Sequence, residues 1–154
     1  MSYNELRKGR YSAPGQEYLV TTVTAGRKCL FTNLGSALPV VQALEQYSAA
    51  GEALWLAWVL MPDHFHGLLC LNGNASLSHV MRSFKGRSAH NWNKKMGGRG
   101  SVWESGFHDH ALRREEDRRA VARYIVANPV RAGLVEHAGD YPFWDAIWLD
   151  PLSG

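Results

Sequence analysis

Two histidines one residue apart are the first candidates for chemistry in this sequence. His64 and His66 flank Phe65, directly after a proline–aspartate dipeptide. On a β-strand successive side chains point to opposite faces, so the two imidazoles would lie side by side, about 6.5–7 Å apart along the strand. Two interpretations are open: the pair forms half of a divalent-metal site, or it is a hydrogen-bonded pair at the start of a strand. Asp63 would be a hydrogen-bond partner of this pair or simply a turn residue.

A tyrosine and an asparagine four residues apart form the second candidate. If their segment is helical, Tyr124 and Asn128 lie on one face, about one turn apart. If that face covers the histidine side of the sheet, Asn128 offers a third oxygen ligand and Tyr124 a phenol beside the ion. A phenol, with an ordinary pKa of about 10, attacks a phosphodiester only if its proton is removed or the phosphate is polarised. The alternative is that Tyr124 packs against the sheet beside Val121 and Ile125.

The patterning of the chain predicts the elements that position these groups. β-Branched and aromatic runs predict strands at 17–24, 53–61, 64–71 and 102–112, and apolar spacings of three to four predict helices at 36–50, 76–96 and 115–128. The strand at 53–61 is apolar on both faces and is predicted to be central. Ser36 and Ser76 are the predicted helix N-caps. The order β-α-β-β-α-β-α predicts an α+β fold, a ferredoxin-like antiparallel sheet with an added C-terminal helix that carries the tyrosine.

Length and composition limit the classes of protein to consider. The 154 residues, 45% of them hydrophobic, predict one domain over 1–154, with an arm at 1–16 and a tail at 137–154 that packs on the domain or is partly mobile. The longest apolar run has nine residues, against about 20 for a membrane span. The polar start and two cysteines without metal-site or disulfide spacing lead us to expect a reduced, cytoplasmic protein without a membrane partner.

Positive charge is concentrated in one third of the chain. The net charge is +3, but residues 82–131 carry twelve basic and five acidic side chains. Such a concentration amid tryptophans favours a polyphosphate partner, although solvated helix faces explain the charge equally well.

Three motifs, in order along the chain, resemble those of the single-tyrosine HUH transposases, the IS200-like transposases. The string MPDHFHGLL at 61–69 resembles the family's PDHxH motif, WESGFHDH at 103–110 is similar to its WQxGFxDH segment, and YIVANPVRAGLV at 124–135 is similar to its YIxxNPVxxGLV helix. Together with the opening at 7–18, these motifs span nearly the whole chain. The spacing of Tyr124 and Asn128 most resembles the subgroup of REP-associated tyrosine transposases.

The resemblance implies a mechanism and a set of functional residues. It implies metal-dependent cleavage and rejoining of single-stranded DNA at hairpin-forming, REP-like repeats, with Tyr124 forming a 5′-phosphotyrosine intermediate during DNA transposition or repeat mobilisation. His64 and His66 would hold Mg²⁺ or Mn²⁺, with Asn128 as third ligand. It also implies a nucleoid-associated location and favours a monomer over a homodimer. The basic residues expected to bind DNA are Lys8, Arg10, Arg82, Lys85, Arg87, Arg119 and Arg123.

Other interpretations remain open at this stage. His108, Asp109 and His110 have the spacing of a second metal site, although packing and hydrogen bonding near the active site is the favoured interpretation. The whole protein could be a domesticated DNA-hairpin-binding protein with little or no cleavage activity, which predicts binding without a covalent adduct. It could also be a small metal hydrolase that uses water as nucleophile, which predicts turnover without Tyr124.

Overall fold

The computed structural model describes residues 15–113 and 117–148, and over these ranges the chain forms one sheet with helices on both faces. The strands are β1 (Glu17–Val23), β2 (Ala53–Met61), β3 (His64–Leu71), β4 (His108–Ala111) and β5 (Trp144–Ala146). The helices are α1 (Leu34–Ala50), α2 (Leu77–Met96), α3 (Arg118–Val126) and α4 (Asn128–Arg131). Short 3₁₀ turns occupy Ala25–Arg27 and Ala138–Asp140.

The sheet is antiparallel throughout, in the order β4-β1-β3-β2-β5. The first four strands have the ferredoxin-like order, so the predicted α+β fold is confirmed. The predicted hairpin is also present: β2 and β3 are joined by two residues, with Met61 opposite His64.

A strand that the sequence did not predict makes β2 an interior strand. Without β5, β2 would be an edge strand, but β5 pairs with it through Ala57–Ala146 and Val59–Trp144. Next to this pairing, the buried Tyr141 hydroxyl donates a hydrogen bond to the carbonyl of Leu60. This pairing covers the edge of β2, whereas its two apolar faces are covered by the helices that pack on either side of the sheet, α1 and α3.

One face of the sheet packs against α1 and α2. Phe65 on β3 is fully buried, and its ring lies 4.8 Å from Phe84 of α2 and 5.3 Å from Trp55 of β2. The Trp55 ring also covers Gly67, where a Cβ would lie 2.5 Å from the ring. The side chains of His64 and His66 alternate with Phe65 and Gly67 and therefore lie on the opposite face.

The predicted N-cap of α1 is wrong, whereas that of α2 is confirmed. The first α-helix begins at Leu34, two residues before Ser36. The Ser36 N–H donates to Asn33 Oδ1 (3.0 Å) while the Asn33 N–H donates to Ser36 Oγ (3.2 Å), a reciprocal pair that places the cap at Asn33. Ser76 caps α2 as expected, its hydroxyl accepting from the His79 N–H.

The C-terminal elements are shorter than the predicted ones. Of the predicted strand at 102–112, only His108–Ala111 pairs as a strand, because the preceding residues turn at Gly106 (φ 77°). The tyrosine helix, predicted at 115–128, begins at Arg118 in the described residues, and 115 and 116 lie outside them. It ends at Val126, and Asn128 begins α4 because Pro129 has no N–H with which to continue the helical hydrogen bonds.

No helix in the described ranges has the length and hydrophobicity to cross a membrane.

Candidate functional site

The two candidate histidines lie side by side at the start of β3. The ring centroids of His64 and His66 are 4.7 Å apart and the ring planes are nearly perpendicular, at 80°. The hairpin turn places them at the end of the sheet, and the strand alternation directs Phe65 into the core on the other face. The expected side-by-side arrangement is therefore present.

Each imidazole has a hydrogen-bond partner at its Nδ1 atom. His64 Nδ1 lies 2.7 Å from Asp63 Oδ1, and His66 Nδ1 lies 2.7 Å from Thr21 Oγ1 of the neighbouring strand β1. Asp63 is itself paired with Arg27, with 3.3 Å between Oδ2 and Nη2. When each imidazole carries its proton on Nδ1, its Nε2 lone pair is available to a ligand. Histidines that bind metal ions are held in this way, by a hydrogen bond to the ring nitrogen that does not bind the metal.

The His66 imidazole is neutral at physiological pH. Burial, followed by the electrostatic effects of His64, Arg131 and Arg27, lowers the pKa of His66 from 6.5 to about 4. A neutral imidazole keeps the lone pair that coordination requires. The electrostatics of the site therefore suit His66 to the role of a ligand.

The tyrosine helix α3 lies on the histidine face of the sheet. In the β1–β3 register, Thr21 is opposite His66, and Glu17, four residues before Thr21, projects from the same face. Arg118, the first residue of α3, donates a hydrogen bond from Nε to Glu17 Oε1 (2.8 Å). The helix packs on β2 and β3. This ion pair therefore joins α3 to the face that carries the imidazoles.

Tyr124 is exposed rather than packed into the core. Helix α3 buries Ala122 and Ile125 against the sheet, whereas Tyr124 is 58% exposed. The alternative in which Tyr124 is a packing residue is therefore wrong. The guanidinium carbon of Arg131 lies 3.9 Å from the centroid of the Tyr124 ring.

Arg131 connects the phenol with the histidine pair. It stacks on Tyr124 and is also close enough to His66 for its charge to contribute to the lowered pKa of that imidazole. Tyr124 and the imidazoles thus lie on the same side of the molecule. Asn128 lies half-buried between Tyr124 and Arg131 in the chain, at the start of α4. Its role as a third ligand remains a prediction.

The sequence interpretation missed two of these residues. Arg131 is the third member of an i, i+4, i+7 series with Tyr124 and Asn128, and this spacing was a signal that it shares their face. Thr21 carried no such signal, because only the pairing of β1 with β3 brings it to His66.

The predicted DNA-binding residues fall into separate groups. Arg82 and Arg87 are exposed on α2, a helix on the face opposite the histidines, while Arg119 and Arg123 are exposed on α3. Lys85 donates from Nζ to the carbonyls of Glu104 (2.7 Å) and Gly106 (2.5 Å), and so holds the loop before β4. Lys8 and Arg10 lie outside the described residues.

The histidines of β4 lie near the candidate site but do not complete a cluster. His108 is opposite Thr21, so it shares the face of His66 and is two strands away from it. Within 15–113 and 117–148, no three His, Cys, Asp or Glu side chains gather as a metal site. A pocket of about 150 Å³ between β1 and the loop before β4 is lined by Thr21, Glu104 and His108.

Comparisons with known proteins show the family of this chain. A sequence model of the family described as "Transposase IS200 like" matches residues 13–128. Over 88 residues the chain is 34% identical to the REP-associated tyrosine transposase of Escherichia coli (strain K12), a match that covers 56% of this chain and 50% of that protein. The chain therefore spans about half the length of this curated relative.

Two solved structures share the fold. One is a REP-associated tyrosine transposase bound to a REP hairpin, with a TM-score of 0.71 and 26% identity, covering 88% of this chain and 79% of that one. The other is a putative transposase from Deinococcus radiodurans, with a TM-score of 0.57 and 20% identity over 76% of this chain and 93% of that one. Because the matched residues 13–128 include both histidines and the tyrosine, we conclude that the chain belongs to the family of IS200-like transposases.

Proposed function

We propose that this protein cleaves and rejoins single-stranded DNA at hairpin-forming repeats, with Tyr124 as the nucleophile. The observation that carries the proposal is the exposed Tyr124 ring on the same sheet face as two imidazoles whose Nδ1 atoms are both held by neighbours. Family membership supports DNA cleavage and joining in general. The relative bound to a REP hairpin supports hairpin DNA as the substrate class.

His64 and His66 fit a divalent metal ion, and Asn128 supplies the third ligand in this proposal. The fit rests on the donor set: two Nε2 atoms on adjacent rings, one of them on an imidazole that is neutral at pH 7. Mg²⁺ or Mn²⁺ bound there supplies Lewis-acid polarisation of the scissile phosphate, and imidazole ligands suit Mn²⁺ better than the harder Mg²⁺.

The protein groups perform the nucleophilic step. Tyr124 Oη attacks the phosphorus, the bond from phosphorus to the 3′ oxygen breaks, and the phenol proton passes to solvent while the departing oxygen takes up a proton. The products are a 5′-phosphotyrosine and a strand with a free 3′-hydroxyl. Attack by that hydroxyl, or by one from another strand, reverses the step without an external energy source. Arg119 and Arg123, exposed on α3, contact the DNA backbone in this proposal.

The phenol and the imidazoles lie on the same sheet face of a single chain, so we propose that a monomer forms a complete active site. This arrangement predicts that adduct formation is first order in protein and that the active species elutes at the mass of one chain.

The test is a denaturing gel that detects protein–DNA adducts. A single-stranded oligonucleotide with a REP-like hairpin and a 3′ fluorophore is incubated with the protein and Mn²⁺, and a labelled band of protein plus DNA mass is expected. Tyr124→Phe abolishes the band. Tyr18→Phe, the same chemical change in a buried residue on the other face of the sheet, retains it.

The other outcomes distinguish the alternatives. Hairpin binding without an adduct from wild-type protein, with any divalent metal, indicates a domesticated binding protein and contradicts the proposal. Cleavage that persists in Tyr124→Phe indicates water as the nucleophile and removes Tyr124 from that role.

A further inference from the structure

Arg131 has a position that the family resemblance did not assign to any function. Its guanidinium stacks on the face of the Tyr124 ring, with 3.9 Å between its carbon and the ring centroid. It comes from α4, seven residues after Tyr124, and the helix break at Asn128–Pro129 sets the direction from which it approaches. A cation–π contact of this kind restrains the orientation of an exposed ring.

The guanidinium of Arg131 has no hydrogen-bond or ion-pair partner within the described residues. Three other arginines near the site are paired: Arg27 with Asp63, Arg118 with Glu17 and Arg123 with Asp117. Arg131 is exposed, and a guanidinium has five N–H donors, so donors remain available while its carbon lies 3.9 Å from the Tyr124 ring centroid. An arginine in this state is suited to bidentate binding of a phosphate.

The position of Arg131 also matches the place where a reacting phosphate has to lie. For Tyr124 to attack, the phosphorus must come between the phenol oxygen and the Nε2 atoms of His64 and His66. Arg131 contacts the phenol ring directly, and its charge reaches the His66 imidazole. It therefore lies against the phenol ring and within electrostatic reach of His66.

We propose that Arg131 is a catalytic residue that binds the phosphate attacked by Tyr124 while its stacked guanidinium orients the phenol. This inference rests on the proposed function and assigns a further residue to it. As Tyr124 Oη bonds to phosphorus and the 3′ oxygen leaves, negative charge grows on the two non-bridging oxygens. The N–H groups of Arg131 donate to these oxygens and keep their protons throughout, so the charge is stabilised without a proton transfer.

The experiment separates the rate of cleavage from the affinity for DNA. Single-turnover adduct formation is measured with protein in saturating excess over the hairpin oligonucleotide and Mn²⁺, and Kd is measured for the same DNA by anisotropy. The variants are Arg131→Gln, Arg131→Lys and, as a matched control, Arg99→Gln. Arg99 is an exposed arginine in the loop after α2, so this control also removes one positive charge.

Arg131→Gln should slow adduct formation at saturation about 100–1000-fold, the effect of losing a preorganised donor to a developing oxyanion. Its Kd should rise less than about 5-fold, because one phosphate contact among several is lost. Arg131→Lys keeps the charge but loses the planar stack and the bidentate geometry, so an intermediate rate is expected. Arg99→Gln should match the wild type at saturation.

A second measurement identifies the phosphate. Once the cleaved position is mapped with wild-type protein, a methylphosphonate placed there removes one negative charge from the DNA. The difference in Kd between wild type and Arg131→Gln should vanish for this DNA and persist when the methylphosphonate is placed elsewhere.

The results that would overturn the proposal are distinct from those that would overturn the function. If wild type forms adducts and Arg131→Gln does so at saturation within about 3-fold of its rate, Arg131 is not catalytic, since the loss of an oxyanion donor exceeds that effect. If the methylphosphonate leaves the difference in Kd unchanged, Arg131 does not bind the attacked phosphate. A wild-type protein that forms no adduct overturns the proposed function, and this inference with it.

Discussion

Replacing Thr21 by valine removes one hydroxyl from the candidate site while almost preserving the shape of the side chain. Thr21 Oγ1 lies 2.7 Å from Nδ1 of His66 and, when His66 binds a ligand through Nε2, accepts a hydrogen bond from the Nδ1–H group. Without it, the His66 ring loses the contact that sets its tautomer and orientation. We expect Thr21→Val to weaken Mn²⁺ binding and to slow adduct formation at limiting Mn²⁺.

The magnitude follows from the environment of the bond. A half-buried hydrogen bond whose loss leaves a ring nitrogen without a partner contributes about 1–2 kcal/mol. That range corresponds to a Kd for Mn²⁺ about 5–30-fold higher, because 1.4 kcal/mol is a factor of ten. It overlaps the loss of about 10–100-fold found when partners of liganding histidines are removed. The same bond is present without a metal ion, so the free energy of unfolding of the metal-free protein should also fall, by about 1 kcal/mol.

The neighbouring residue provides a matched control. Thr22 is buried on the other face of β1, and its hydroxyl has no hydrogen-bond partner in the described residues. Thr22→Val therefore makes the same chemical change without touching His66 and should raise the free energy of unfolding by about 1 kcal/mol. Mn²⁺ affinity by calorimetry, adduct rates over a Mn²⁺ titration and urea denaturation are measured for both variants.

Two results would refute this reasoning. One is a Thr21→Val protein whose Mn²⁺ affinity stays within about 2-fold of wild type, because a hydrogen bond of the assumed strength exceeds that difference. The other is an equal loss of affinity in Thr22→Val, which would indicate a general effect of altering β1.

Two further predictions concern the sheet around the site. Gly67→Ala should lower the free energy of unfolding by about 1–3 kcal/mol, because its Cβ would lie 2.5 Å from the buried Trp55 ring. Gly86→Ala, in an open position of α2, should raise it by about 0.5–1 kcal/mol. If urea denaturation shows that both substitutions change the free energy of unfolding in the same direction, the packing argument is contradicted. The pKa of His66, lowered from 6.5 to about 4 mainly by burial, means that the unfolded state binds more protons in that range, so the metal-free protein should lose stability as pH falls from 6.5 to 4. The loss attributable to His66 is at most about 3.4 kcal/mol. If the stability of the wild type and that of His66→Gln show the same pH dependence in denaturation experiments, this prediction is contradicted.

Local regularities explain which parts of the fold were predictable. The ferredoxin-like order followed from the periodicity of the segments, and the shared face of His64 and His66 followed from strand alternation. The missed strand β5 has three residues and no local pattern strong enough to identify it. It forms because β2 has an unpaired edge, which is a property of the assembled sheet. Likewise, the cap of α1 moved to Asn33 because two side chains exchange hydrogen bonds with each other's backbone.

By itself the sequence determined which groups are available for chemistry: two imidazoles on one face of a strand and a phenol one turn before an asparagine. Spacing within a single element controls such relations, since a strand repeats every two residues and a helix every 3.6. Only the tertiary structure decided which face α3 covers, which hydroxyl reaches His66 and that Arg131 stacks on Tyr124. Those relations join elements distant in sequence, and they depend on strand register and layer packing, which no local repeat encodes.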